Sequence, residues 1–172
     1  MRKITWVQGF ACAAAFALSA VGTVVQAGNL PAATGYVYTI NNDTECNGVI
    51  VLKQNSDGAL SEVPNSPFAT GGKGLGGGDI DQQGALRVHG NYVLAVNAGS
   101  NTVAVLRKGD GGQLMPVKGS PFQSGGISPL SLAVHGDLVY VANQAPPFAS
   151  PTGQPNVVGF RMSRDGMLTL IP

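Results

Sequence analysis

Residues 88–106 read VHGNYVLAVNAGSNTVAVL. Two β-rich runs, 92–96 and 103–106, flank a short polar connection, and His89-Gly90-Asn91 supplies a turn before the first run. The pattern returns along the chain. Val49-Ile50-Val51-Leu52 matches Val103-Ala104-Val105-Leu106 and then Val157-Val158-Gly159-Phe160, 54 residues on each time. Asp57-Gly58-Ala59-Leu60 matches Gly111-Gly112-Gln113-Leu114, then Asp165-Gly166-Met167-Leu168. Ser66-Pro67-Phe68 followed by Gly71-Gly72 returns as Ser120-Pro121-Phe122 followed by Gly125-Gly126. Val88-His89-Gly90-Asn91-Tyr92-Val93 returns as Val134-His135-Gly136-Asp137-Leu138-Val139, and Asn41, Asn97 and Asn143 close the same strand.

One unit therefore holds four short strands. The first covers 85–88 or 131–134. The second covers 36–40, 92–96 or 138–142. The third is the Val-x-Val-Leu element, and the fourth covers 59–63, 113–117 or 167–171. Four strands at a period near 50 make a β-propeller blade. No run of ten or more residues carries a helical apolar stripe, so the fold class is all-β. Eleven strands are expected in an incomplete β-propeller of about three four-stranded antiparallel blades, spanning roughly 36–72, 85–126 and 130–172. Closed propellers have about 4–8 blades. Three blades leave open edges that invite self-association. The expected reading is the front piece of a longer protein, with a self-closing three-blade unit as the alternative.

The first 27 residues look like an export signal. Arg2 and Lys3 precede an apolar stretch, densest over residues 10–20, and Val25-Gln26-Ala27 offers small residues for cleavage. Gln8 interrupts the apolar run, which is too short for a membrane span of about 20 residues. The expected address is periplasmic or secreted, with residues 28–172 as the mature partial propeller. Cleavage removes Arg2 and Lys3 from the ten basic residues, leaving eight against nine acidic ones. That balance gives no case for nucleic acid or an anionic membrane as partner. Cys12 leaves as well, so Cys46 is expected as an unpaired, ordinary free cysteine.

In an antiparallel blade the one-to-two and three-to-four turns share one side. Here they are tight: His89-Gly90, His135-Gly136, Asp57-Gly58 and Asp165-Gly166. The two-to-three connections, 42–48, 98–102 and 144–156, lie on the other side and differ in length. So do the four-to-one connections, the longer of which runs through 73–84. Variable loops on a rigid scaffold carry binding, so this long-loop rim is the candidate functional face. Its candidate residues are Lys73, Asp79, Asp81, Gln83, Asn97, Asn101, Asn143 and Gln144.

Each has a plainer reading. Lys73 opens a glycine-rich stretch, but a phosphate loop needs its lysine before Ser or Thr at a helix start. A folded or flexible connection is the expectation. Asp79 and Asp81 have the oxygen chemistry for a hard cation, yet two carboxylates alone read as solvated loop charges. Asn41, Asn97 and Asn143 suit backbone bonding at strand ends. His89 and His135 sit beside turn glycines and read as turn residues. Asn42-Asp43-Thr44 fits the glycosylation pattern. No nucleophile elbow, zinc spacing or cofactor motif occurs, so no catalytic residue, metal or cofactor is assigned.

Thr70-Gly-Gly-Lys-Gly-Leu-Gly-Gly-Gly, Gln83-Gly-Ala-Leu and residues 92–106 together resemble the lactonase-type seven-bladed propellers, which include 6-phosphogluconolactonase-like and carboxymuconate-cyclase-like proteins. Gly125-Gly126, Pro129-Leu-Ser-Leu-Ala-Val and Leu138-Val-Tyr-Val-Ala-Asn143 are similar to the next blade of that pattern. The resemblance covers nearly all of 36–172. It implies opening of a lactone or cycloisomerisation to one, on a small lactone or sugar-derived ligand. Such chemistry needs a general acid/base and a cation near a carbonyl. No residue here matches those roles motif for motif. A non-catalytic exported propeller, binding a ligand or protein partner through the long-loop face, is the alternative.

Overall fold

The computed structural model describes residues 35–76, 83–145 and 153–172. The proposed signal segment, together with Asp79 and Asp81, lies outside the described residues. Thirteen strands occur among those described. They are β1 (Gly35–Ile40), β2 (Gly48–Gln54), β3 (Leu60–Glu62), β4 (Phe68–Ala69), β5 (Leu86–His89), β6 (Tyr92–Asn97), β7 (Thr102–Lys108), β8 (Leu114–Pro116), β9 (Phe122–Gln123), β10 (Pro129–His135), β11 (Leu138–Asn143), β12 (Asn156–Met162) and β13 (Leu168–Leu170). They form three antiparallel sheets. The first is β1-β2-β3 with β4 also on β2. The middle one is β5-β6-β7-β8 with β9 also on β7. The third is β10-β11-β12-β13. This is an all-β, propeller-like stack of three blades without a closed barrel. Among the described residues, no helix is long and apolar enough to cross a membrane.

All eleven expected strands are present, and the registers repeat. Tyr36 pairs with Lys53, Tyr92 with Arg107 and Leu138 with Arg161, at equivalent positions of the three two-to-three pairings. The fourth strands are shorter than expected, three residues each, and β4 and β9 are additional. The Ser-Pro-Phe repeat explains both differences. After β3 the chain turns, with Ser66 N–H donating to the Val63 carbonyl (3.1 Å) and Asn65 at φ 67°. Ser120 does the same to Val117 (3.1 Å). The serine hydroxyl then fills the gap this turn leaves in the ladder. Ser66 Oγ accepts the Val51 N–H and Ser120 Oγ accepts the Val105 N–H, both at 3.0 Å. Proline follows, joined by a cis bond in both copies and unable to donate to a ladder. Pairing resumes only at Phe68 on Val49 and at Phe122 on Val103.

Side-chain alternation decides how the sheets stack. On the middle sheet, Val93, Ala95, Ala104 and Leu106 pack on Val49, Val51 and Val63 of the first sheet, with Tyr36, Tyr38 and Ile40 completing that core. The opposite side of the same strands, Leu94, Val96, Val103 and Val105, packs on Leu132, Val139, Val141, Phe160 and Met162 of the third sheet. A strand buried on both sides reads as a continuous apolar run, which is why 92–106 dominates the sequence pattern.

Repeated contacts also fix the tight-turn side. Gly112 and Gly166 occupy the same position in successive three-to-four turns, at φ 83° and 82°. A Cβ on Gly112 would stand 2.6 Å from Tyr36 Cε1, and one on Gly166 2.7 Å from Tyr92 Cε1. Each glycine thus lets the tyrosine of the preceding blade lie against its turn. The Tyr92 hydroxyl donates to the Arg164 carbonyl (2.6 Å).

Candidate functional site: the long-loop rim

The rim is assembled from the connections 41–48, 70–76, 98–101 and 124–128 with Gln144 and Ala145. Asn41 closes the first of these, its Oδ1 accepting the N–H groups of Gly48 (2.9 Å) and Asp43 (3.2 Å). Asp43 Oδ1 accepts the N–H groups of Glu45 and Cys46, both at 2.8 Å. The Cys46 and Glu45 amides hold this exposed carboxyl below the usual aspartate value.

The glycine-rich stretch after Thr70 is folded, as far as it is described. Gly74 N–H donates to the Asp43 carbonyl (2.6 Å) and Gly76 N–H to that of Asn42 (2.9 Å). The Asn42 side chain answers from the other strand of the loop, donating Nδ2–H to the Gly76 carbonyl (2.7 Å) and accepting the Leu75 N–H (3.0 Å). The nitrogen that the glycosylation pattern singles out is therefore already engaged. Lys73 lies exposed, its ammonium on Glu45 (3.1 Å), its backbone bound by Ser100 Oγ and Gly99 N–H. An exposed pair of this kind adds little stability.

Below the rim, a buried polar network joins the first two blades. Asn97 Oδ1 accepts from Thr70 Oγ1 (2.6 Å) and from Asn47 Nδ2 (2.8 Å), while Asn97 Nδ2 donates to Thr102 Oγ1 (3.0 Å). Asn47 Nδ2 also reaches the Val96 carbonyl (2.9 Å), and Thr70 Oγ1 that of Asn47 (2.8 Å). Asn97 and Asn47 are wholly buried. Asn97 thus points into the junction between blades. Asn47 and Thr70 were not among the residues expected at the site. Their signal was available: Asn47 recurs as Asn101 and Thr70 as Ser124, each 54 residues on.

The second junction is built from the same positions with a different outcome. Asn101, at φ 58°, turns its Oδ1 onto the Ser128 N–H (2.7 Å), and its carbonyl accepts the Ser124 N–H (2.9 Å). Asn143 Nδ2 donates to Asn156 Oδ1 (2.8 Å) and more loosely to the Ser124 carbonyl (3.4 Å). Gly126 allows this approach, since a Cβ there would lie 2.6 Å from Asn143 Cβ. Among the described residues, Asn143 Oδ1 and Ser128 Oγ are buried with no hydrogen-bond partner, as is Asn47 Oδ1. Asn101 in its new conformation no longer supplies the bond that Asn47 gives Asn97. Gln144 is exposed beside this spot, its N–H on the Ser128 carbonyl (3.0 Å).

The candidates therefore divide. Asn101, Asn143 and Gln144 gather around 124–128. Lys73 stands at the first junction, where Asn97 is sealed beneath it. Gln83 is exposed in the turn before β5. His89 and His135 sit at hairpins on the opposite side, paired with Tyr92 and Leu138. A hollow of about 310 Å³ lies on that side too, lined by His89, Asn91, Tyr92, Asp137, Ser163 and Arg164. Cys46 corrects an expectation: it is disulfide-bonded and not free. The chain's other cysteine, Cys12, lies outside the described residues.

No family model and no curated protein matches the chain. A solved structure does, that of a functionally unknown protein from Desulfotomaculum acetoxidans DSM 771, with a TM-score of 0.54 and 17% identity over 81% of this chain. The match takes in 41% of that protein, so the chain spans about two-fifths of its length. At this identity the likeness is one of fold alone.

Proposed function

We propose that this chain is an exported propeller module that binds a small polar ligand through its long-loop rim, at the junction of the second and third blades. The observation that carries this reading is the pair of buried, unpartnered polar atoms there, Asn143 Oδ1 and Ser128 Oγ. An unmet buried polar group costs about 1–3 kcal/mol, and a ligand offering a hydroxyl or amide removes that cost. The variable connections around it give room for selectivity. Titration of the 15N-labelled chain with glucono-δ-lactone and with a γ-lactone tests the reading. Saturable shifts are expected at the Asn143 side-chain amide, Ser128 and Gln144, and Asn143→Ala should remove them while the rest of the spectrum is kept. Shifts confined to the tight-turn hollow, or none with either lactone, would sink it.

The resemblance of 92–106 and 129–143 to the lactonase-type propellers supports a second reading. In it the rim also opens the lactone: water adds at the carbonyl, the ring C–O bond breaks and the ring oxygen takes a proton. Steady loss of lactone, abolished by Asn143→Ala, would favour catalysis over binding. Saturable binding with no loss of lactone would remove it.

A further inference from the structure

The two outward sides of the three-sheet stack are copies of sides that are buried within it. Each blade has a front, which packs on the blade before, and a back, which packs on the blade after. The front of the middle sheet is Val93, Ala95, Ala104, Leu106 and Leu114; its back is Leu94, Val96, Val103 and Val105. On the first sheet the front faces outward and carries the equivalent residues Val37, Thr39, Ile50, Leu52 and Leu60. On the third sheet the back faces outward and carries Tyr140, Ala142, Val157 and Gly159.

Exposure at matched repeat positions shows what is uncovered. Val37 is 42% exposed, whereas its counterparts Val93 and Val139 are 0%. Leu60 is 44% exposed against 5% for Leu114 and 9% for Leu168. Val157 is 69% exposed, whereas Val49 and Val103 are 0%. Ile50 is the one member of the outward front that stays buried. The apolar residue types persist at positions where no neighbouring blade of this stack lies. Such a side has a defined complement, because the chain packs one copy of each kind against the other twice.

We infer that the chain associates head to tail, the back of the third sheet of one copy seating on the front of the first sheet of another. This contact is heterologous, joining two different surfaces, and propagates until it closes or is blocked. It runs through sheet faces and leaves the ladder edges free, so side-chain substitutions test it without touching backbone pairing.

The test is light scattering on the purified chain across a range of concentrations, with Val157→Lys as the blocked back and Val37→Lys as the blocked front. The wild-type chain should grow in mass with concentration, and each variant alone should remain a monomer. An equal mixture of the two should give a species of two copies and nothing larger, since one good front meets one good back and both outer sides are blocked. Both residues are exposed, so circular dichroism should match the wild type. Leu60→Glu serves as a second blocked front. A wild-type chain that stays monomeric overturns the inference. So do folded variants that associate as the wild type does, which would indicate edge pairing, or a mixture that never dimerises.

Discussion

Asn97 shows how a residue type that suggests a ligand becomes a structural fastener. Its three side-chain bonds all end on buried groups of two different blades. Replacing it by alanine removes one bond from each of Asn47, Thr70 and Thr102, which keep the Val96 carbonyl, the Asn47 carbonyl and Ser100 Oγ as their remaining partners. Asn97→Ala should cost about 3 kcal/mol in urea denaturation, against about 1 kcal/mol for Asn101→Ala, whose side chain makes the one Ser128 bond. Equal costs would contradict the network. The sequence shows that an asparagine recurs at these strand ends but not which way it points. That depends on the backbone one repeat away, where Asn47 and Asn101 differ. Asp43 gives a prediction of another kind. Its carboxyl is held below the ordinary value by two amides, so the stabilisation it gives the 43–46 turn is present above the unfolded value and lost as pH falls through the folded one. An NMR titration should place its midpoint below that of an ordinary aspartate, with the Glu45 and Cys46 amides losing protection, relative to their intrinsic exchange rates, as the carboxyl is protonated. A midpoint at or above the ordinary value would contradict this.

At the scale of elements, the strands were legible because the same apolar runs and turn residues recur at a fixed spacing along the chain. β4 and β9 were not, because two residues carry no period. Their existence depends on where the ladder is broken and on what fills the break. Ser120→Ala should therefore cost about 1 kcal/mol and speed hydrogen exchange at the Val105 amide, while leaving the amides of Val93 and Val139 protected. Unchanged exchange at Val105 would mean that the hydroxyl does not carry that bond in solution. The rim loops were legible in length and side, since strand parity fixes both. Their interlocking was not, because Asn42 reaches residues 33 and 34 positions away.

For the whole molecule, the middle sheet is the shared partner of both cores. In a stack where each unit contacts its neighbours, stability is close to a sum of unit and interface terms. Leu94→Ala removes side-chain volume from the core that holds the third sheet and should cost about 2–5 kcal/mol. Val157→Ala, on the outward back, should change the stability of the monomer by less than about 0.5 kcal/mol. Thermal melts of the two variants separate these cases, and similar losses would mean that the outward side is not solvent-exposed in solution.

The split outer strands have one more consequence. Fibril growth needs a long, uninterrupted row of free amides and carbonyls onto which a stray chain can dock. The outer margins of the first two blades never offer one. Each presents three residues, then a turn whose serine hydroxyl faces inward, then two residues, with prolines at positions 64, 67, 116 and 121 unable to donate. A strand arriving from another molecule loses its register within a few residues, so the margin acts as a perforated seam that amyloid cannot zip along.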